Sequence, residues 1–82
     1  MATVRFFASV RDRVKNESVE IPLAKPLPLR DVLAKTAAAL KVDEVALINP
    51  SLLYAVNKNM EGLDFIVNNN DEVAVLPPLS GG

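Results

Sequence analysis

The sequence predicts an α+β domain in which one main helix packs across a mixed sheet of about four to five strands. Two observations carry this prediction: alternating apolar runs near both ends of the chain, and one amphipathic helical pattern between them. The length of 82 residues allows one domain with a modest stability margin. Half of the residues are hydrophobic and 23% are charged, which is typical of a globular chain.

The first segment, TVRFFASVR, alternates in polarity and predicts a strand with one buried face. Even positions from Val4 to Val10 fall on its predicted inner face, and odd positions from Arg5 to Arg11 fall on its outer face. The polar segment RDRVKNES is predicted to hold one helical turn, and SVEIPL then forms a second strand. The two runs predict an antiparallel hairpin, with Pro22 at an edge or at a strand end because proline cannot donate a ladder hydrogen bond.

The middle segment, LRDVLAKTAAALKV, predicts an amphipathic helix, since its apolar residues recur every three or four positions from Leu29 to Leu40. Pro28 suits the first helical turn, although the helix start lacks an ideal side-chain cap. LLYAVN then predicts a strand with Tyr54 in the core, NNND predicts a turn, and EVAVL predicts the final strand.

The predicted order of strand, strand, helix, strand, strand is the ubiquitin-like β-grasp arrangement. We assign residues 1–76 to this domain and residues 77–82 to an extended C-terminal tail. If the first and last strands are neighbours, their outer faces share one side of the sheet. Phe7 and Leu76 then form an apolar patch, rimmed by Arg5, Arg11 and Glu72, that is typical of a partner-binding surface.

Composition excludes several classes of function. The chain has no cysteine and no histidine, which removes disulfides, Ser-His-Asp triads and Cys/His metal sites. A net charge of -1 without a basic cluster argues against nucleic-acid binding, and no apolar run approaches a membrane span. We therefore expect a cytoplasmic protein. The adjacent carboxylates Asp43–Glu44 and Asp71–Glu72 are interpreted as solvated charges, because neighbours in a strand point to opposite faces.

The sequence ends EVAVLPPLSGG. The two prolines hold the backbone extended, and the last two residues have no side chains. We predict that this tail enters a narrow partner channel, where ATP activates the carboxylate of Gly82 as an acyl-adenylate. A sulfur nucleophile would then give a thiocarboxylate, and a lysine amine would give a conjugate. The alternative interpretation is a frayed terminus without a role.

Three segments, VRFFASVRD, AVN at 55–57 and DEVAVLPPLSGG, together resemble the small subunit of molybdopterin synthase, a β-grasp family of MoaD-type sulfur carriers. The resemblance implies that an E1-like (MoeB-type) adenylyltransferase uses ATP to adenylate Gly82 and that a sulfur donor converts it to a thiocarboxylate. The charged chain would give this sulfur to precursor Z (cyclic pyranopterin monophosphate) to form the molybdopterin dithiolene. No permanently bound cofactor or metal is implied, and the chain alone would not be catalytic.

The resemblance also implies a heterotetramer with the large (MoaE-type) synthase subunit. The residues implied in docking and in the tail are Phe7, Arg11, Leu76, Pro77, Pro78, Leu79, Ser80, Gly81 and Gly82. Asn70 stands where the family usually has glycine, and asparagine can supply the same positive φ. Three alternatives stay open: a related carrier for thiamine thiazole synthesis or tRNA thiolation, a ubiquitin-like protein modifier, and a plain interaction domain.

Overall fold

A computed structural model describes residues 1–78 of the chain. This part begins with β1 (Ala2–Phe6), α1 (Ala8–Val14), β2 (Ser18–Ile21), β3 (Leu27–Pro28) and α2 (Leu29–Leu40). A 3₁₀ turn at Glu44–Ala46 precedes β4 (Leu53–Val56), β5 (Asn59–Met60), β6 (Ile66–Val67) and β7 (Glu72–Leu76). No helix within residues 1–78 is long and apolar enough to cross a membrane.

Five strands form the main sheet in the order β2-β1-β7-β4-β5. The strands from the two ends of the chain, β1 and β7, pair in parallel, with Val4 opposite Val73 and Phe6 opposite Val75. The pairs β1–β2, β4–β7 and β4–β5 are antiparallel. The predicted β-grasp arrangement, with the first and last strands as neighbours, is confirmed.

The core lies between α2 and one face of this sheet, which we call the inner face. Alternate residues of β1 and β7 are buried there, as the period of a half-buried strand requires. The helix supplies the opposite wall with Leu29, Val32, Leu33, Thr36 and Ala37. Thr36 is the one polar member of this wall, and its hydroxyl donates to the Val32 carbonyl at 2.7 Å.

The predicted extent of the first strand was wrong beyond Phe6. Ala8 has a φ of 50°, which takes the chain out of the strand and into α1. Helix α1 places Val10 and Val14 in the core, whereas Ala8 is exposed. A spacing of four residues is compatible both with one face of a helix and with one face of a strand. The helix is the observed solution, and it buries both valines.

The predicted helix is confirmed, with bounds at Leu29–Leu40 inside the predicted segment, and Pro28 lies at its N-cap position without a side-chain cap. Backbone carbonyls replace the missing cap: the amides of Leu29 and Arg30 donate to the carbonyls of Phe65 and Leu63 at 2.8 and 3.0 Å. A small second sheet of β3 and β6, with Pro28 opposite Ile66, holds the segment that contains Leu63 and Phe65 beside the start of the helix. This sheet was not predicted from the sequence.

A two-residue turn joins β4 to β5, because Val56 pairs with Asn59. Both turn residues have positive φ, 51° at Asn57 and 72° at Lys58, as a type I′ turn requires. The Asn57 side chain also accepts from the amide of Glu72 at 2.9 Å and donates to Asp71 at 2.9 Å. The turn is therefore fastened to the start of β7.

Tyr54 lies in the core, as predicted, with its hydroxyl at the edge. The hydroxyl donates to the carbonyl of Leu47 at 2.7 Å and accepts from the amide of Asn49 at 3.3 Å. These bonds tie the loop after the 3₁₀ turn to β4. Burial raises the pKa of Tyr54 above its ordinary value, and the hydrogen bond from Asn49 opposes this shift.

We expect Tyr54→Phe to lower the free energy of unfolding by about 1–2 kcal/mol near pH 7, because the buried Leu47 carbonyl loses its donor. The difference in the free energy of unfolding between Tyr54→Phe and the parent should become smaller above about pH 10. There the unfolded chain loses the tyrosine proton that the folded chain retains, so the parent's stability from this group falls as pH rises through the folded pKa. Urea titrations at about pH 7 and about pH 10.5 measure both effects, and a gap independent of pH would contradict the second.

Candidate functional site

The face of the main sheet opposite α2, which we call the outward face, carries Phe7 and Leu76 of the predicted contact residues. Pairing places Arg5 opposite Ala74, Ala74 opposite Ala55, and Ala55 opposite Met60. One row of side chains therefore crosses β1, β7, β4 and β5. The next row toward the end of β7 brings Leu76 opposite Leu53.

Phe7 joins this face one position after β1 ends. Its backbone remains extended, and its amide donates to the carbonyl of Val75 at 3.2 Å, which continues the pairing with β7. Phe7 is thereby placed one step beyond the Phe6–Val75 pair, beside Leu76. The register thus places Phe7 and Leu76 at neighbouring positions, and their contact and role in docking stay predictions.

The apolar residues of the outward face form one continuous surface. We call this set the apolar face; its members are Phe7, Leu53, Ala55, Met60, Ala74 and Leu76. Phe7, Leu53 and Leu76 are half-buried, and Met60 is 61% exposed. The two alanines at the centre have small side chains, and Ala55 is only 8% exposed, so the larger side chains around them supply most of the accessible apolar area.

Charged side chains border the apolar face at β1 and at the start of β7. The Arg5 guanidinium lies 3.3 Å from a carboxylate oxygen of Glu72, and its central carbon lies 5.6 Å from the Phe7 ring centroid. Asp71 accepts from the Asn68 amide at 2.8 Å and from Asn57. The sequence indicated solvated charges at Asp71 and Glu72. In the structure both carboxylates also accept hydrogen bonds or ion pairs from neighbouring side chains or amides.

Arg11 does not lie on the strand face predicted for it, because the chain has already entered α1. It lines a shallow groove of about 600 Å³ between α1 and the start of β2, with Asp12, Lys15, Asn16, Glu17 and Ser18. Ser18 pairs with Arg5 across β1 and β2, so the groove borders the outward face at its β2 edge. The predicted docking role of Arg11 remains a prediction.

Strand β7 ends at Leu76, and two prolines follow it. Pro77 is half-buried and Pro78 is exposed immediately after Leu76. The predicted tail residues Leu79, Ser80, Gly81 and Gly82 lie outside the described residues. Within residues 1–78, no group of three or more His, Cys, Asp and Glu side chains is placed to hold a metal ion.

A family model described as the ThiS family matches residues 4–82, nearly the whole sequence. The chain belongs to the ThiS family. Two curated relatives are each named molybdopterin synthase sulfur carrier subunit. One, from Escherichia coli (strain K12), is 37% identical over 84 residues, and one from Haemophilus influenzae is 33% identical over 86 residues. Both alignments cover 100% of this chain and 100% of the relative.

Solved structures share the fold of this ThiS family member. SAMP1 from Haloferax volcanii has a TM-score of 0.82 at 18% identity, covering 99% of this chain and 98% of that one. One chain from a complex of subunits 1 and 2 of the molybdopterin-converting factor from Helicobacter pylori 26695 matches with a TM-score of 0.59 at 22% identity. The match covers 99% of this chain and 97% of that one. At these identities the likeness describes the fold alone.

Met60, Leu53 and Ala55 were missed as site residues in the sequence. KNMEGLDFIV shows no regular period, so nothing in it indicated that Asn59 and Met60 pair with β4. The only available signal was Met60 itself, a large apolar residue in a polar stretch. Its position on the outward face of this ThiS family member follows from the two-residue turn at Asn57 and Lys58.

We expect Met60→Ser to leave the free energy of unfolding within about 0.5 kcal/mol of the parent, because the side chain is mostly exposed. The matched control is Val73→Ala in the neighbouring strand β7, whose fully buried side chain should cost about 2 kcal/mol. Urea denaturation measures both. A loss at Met60 comparable to that at Val73 would show that this methionine serves the core.

Proposed function

We propose that this chain is the sulfur-carrier subunit of a molybdopterin synthase. The single observation that carries the proposal is the full-length match to two curated sulfur-carrier subunits, both above 30% identity. The geometry supports it, because the central strand β7 leads directly from the apolar face to Pro77 and the tail.

The proposed reaction uses the carboxylate of Gly82. One of its oxygens attacks the α-phosphorus of ATP on an E1-like adenylyltransferase, pyrophosphate leaves, and an acyl-adenylate forms. Hydrosulfide released by the sulfur donor then attacks the acyl carbon and displaces AMP, which leaves a thiocarboxylate at Gly82. The thiocarboxylate transfers its sulfur to precursor Z (cyclic pyranopterin monophosphate) toward the dithiolene, and water restores the carboxylate.

The proposed partner surface is the apolar face. Burying half-exposed Leu53 and Leu76 together with Met60 supplies the hydrophobic part of an interface, and the bordering Arg5 and Glu72 supply a polar rim. We propose that the large synthase subunit covers this face while it receives the tail. The adenylyltransferase must receive the same tail, so the two partners would bind in turn.

We expect Gly82 to gain about 16 Da, the replacement of one oxygen by sulfur, when the chain is incubated with the adenylyltransferase, ATP and a sulfur source. Intact mass spectrometry followed by C-terminal peptide analysis measures the gain. Omitting ATP should abolish it, and so should deletion of Gly81 and Gly82, which leaves the described fold untouched. A carboxylate unchanged under conditions that charge a known carrier would refute the chemistry.

The acceptor is tested separately from the charging step. Thiocarboxylated chain, the large synthase subunit and precursor Z should together yield molybdopterin, detected as its fluorescent oxidation product. Charging without this product, combined with sulfur transfer in the presence of a thiazole synthase or a tRNA-thiolating enzyme, would move the chain to a related carrier. A Gly-Gly remnant on target lysines after proteolysis would instead indicate a protein modifier.

We expect Met60→Glu to weaken binding of the large subunit about tenfold or more, because a charge is placed where apolar surface is buried. Phe65→Glu is the matched control. Phe65 is also an exposed large hydrophobic residue, at 37%, but it lies beside the start of α2.

Isothermal titration calorimetry with the purified large subunit gives both affinities. The control should stay within about twofold of the parent. Equal weakening by the two variants would mean that the partner does not select the apolar face.

A further inference from the structure

Arg5 makes two contacts at once on the outward face. Its guanidinium lies 3.3 Å from Glu72 on β7 and 5.6 Å from the centroid of the Phe7 ring. Its neighbours across the two adjoining strands are Ser18 and Ala74, both small. The long side chain therefore has room to lie along the sheet toward Phe7.

Each contact is weak when taken alone. The Arg5 and Glu72 side chains are 51% and 41% exposed, and surface ion pairs contribute little to stability. A cation above an aromatic face at an exposed site is similarly modest. The two contacts share one planar group, however, so Glu72 holds the guanidinium in the position from which it covers the ring.

The rotamer of the Phe7 ring affects the entropic cost of binding a partner. It is the last extended residue before Ala8 turns the chain into α1, and it has β7 as its strand neighbour. A phenyl ring that is free to change rotamer would lose that freedom when a partner covers it. A ring already fixed beside Leu76 presents its apolar surface at a lower entropic cost.

We propose that Arg5 is a positioning residue that holds the Phe7 ring on the apolar face, so that this face is preorganised before the partner binds. Arg5 acts through Phe7 and through its anchor Glu72. The inference depends on the proposed function only for the identity of the partner, since the contacts themselves belong to the free chain.

The test with the partner is a double-mutant cycle with Arg5→Met and Phe7→Ala, measured by calorimetry against the large synthase subunit. Arg5→Met keeps a long apolar side chain and removes the cation, and we expect about three- to fivefold weaker binding. In the Phe7→Ala background the same change should have almost no further effect. Arg30→Met is the control, because Arg30 is also 51% exposed and ion-paired, to Asp64, but lies at the start of α2.

Two outcomes overturn the inference in this cycle: unchanged affinity in Arg5→Met, or equal losses with and without the Phe7 ring. Equal losses would mean that Arg5 contacts the partner directly.

A second measurement uses the free chain. NMR couplings that report the Phe7 χ1 angle should show one dominant rotamer in the parent and in Arg30→Met, and rotamer averaging in Arg5→Met and Glu72→Gln. Unchanged couplings in the Arg5 variant overturn the inference. If the parent fails to bind the large subunit, the proposed partner is wrong, and the NMR result still decides the role of Arg5.

Discussion

The parallel pairing of β1 with β7 is the interaction on which the rest of the structure depends. It joins the two ends of the described chain at the middle of the sheet, with β2 and β4 on either side. Contacts between residues some 70 positions apart are costly in loop entropy, so the buried side chains must offset that cost. Val4, Phe6, Val73 and Val75, which are buried beneath α2, supply the burial that does so.

The register of β7 is fixed at its start. There, Asn57 bonds the amide of Glu72 and the carboxylate of Asp71, and Asn70 takes the positive φ of 74° that the preceding turn needs. A slip by one residue would move both valines of β7 to the outward face and would bring Leu76 inward. The polar bonds at the start of the strand thus determine where the chain leaves the sheet, five residues later.

Sequence patterns predicted the elements whose periods were long enough to be unambiguous. Helix α2 repeats its period three times within the predicted segment at 29–42 and occupies Leu29–Leu40, and β7 was predicted with its observed bounds from two alternating valines. Helix α1 was underestimated because Val10 satisfies both an alternating strand and a helical face. The strands β3, β5 and β6 have two residues each, too few for any period, and exist only through tertiary pairing. Met60 was missed for that reason.

The position of Leu76 links docking to delivery of the tail. Leu76 is both a member of the apolar face and the last residue of β7, so a partner that covers the face also fixes the start of the tail. The six residues that follow can span at most about 20 Å when fully extended. If Gly82 is the reacting residue, as we propose, the partner's reacting centre must lie within about 20 Å of Leu76. On the proposed function, the adenylyltransferase and the large subunit both have to reach Gly82 within this distance of Leu76, and this shared limit favours overlapping surfaces and binding in turn.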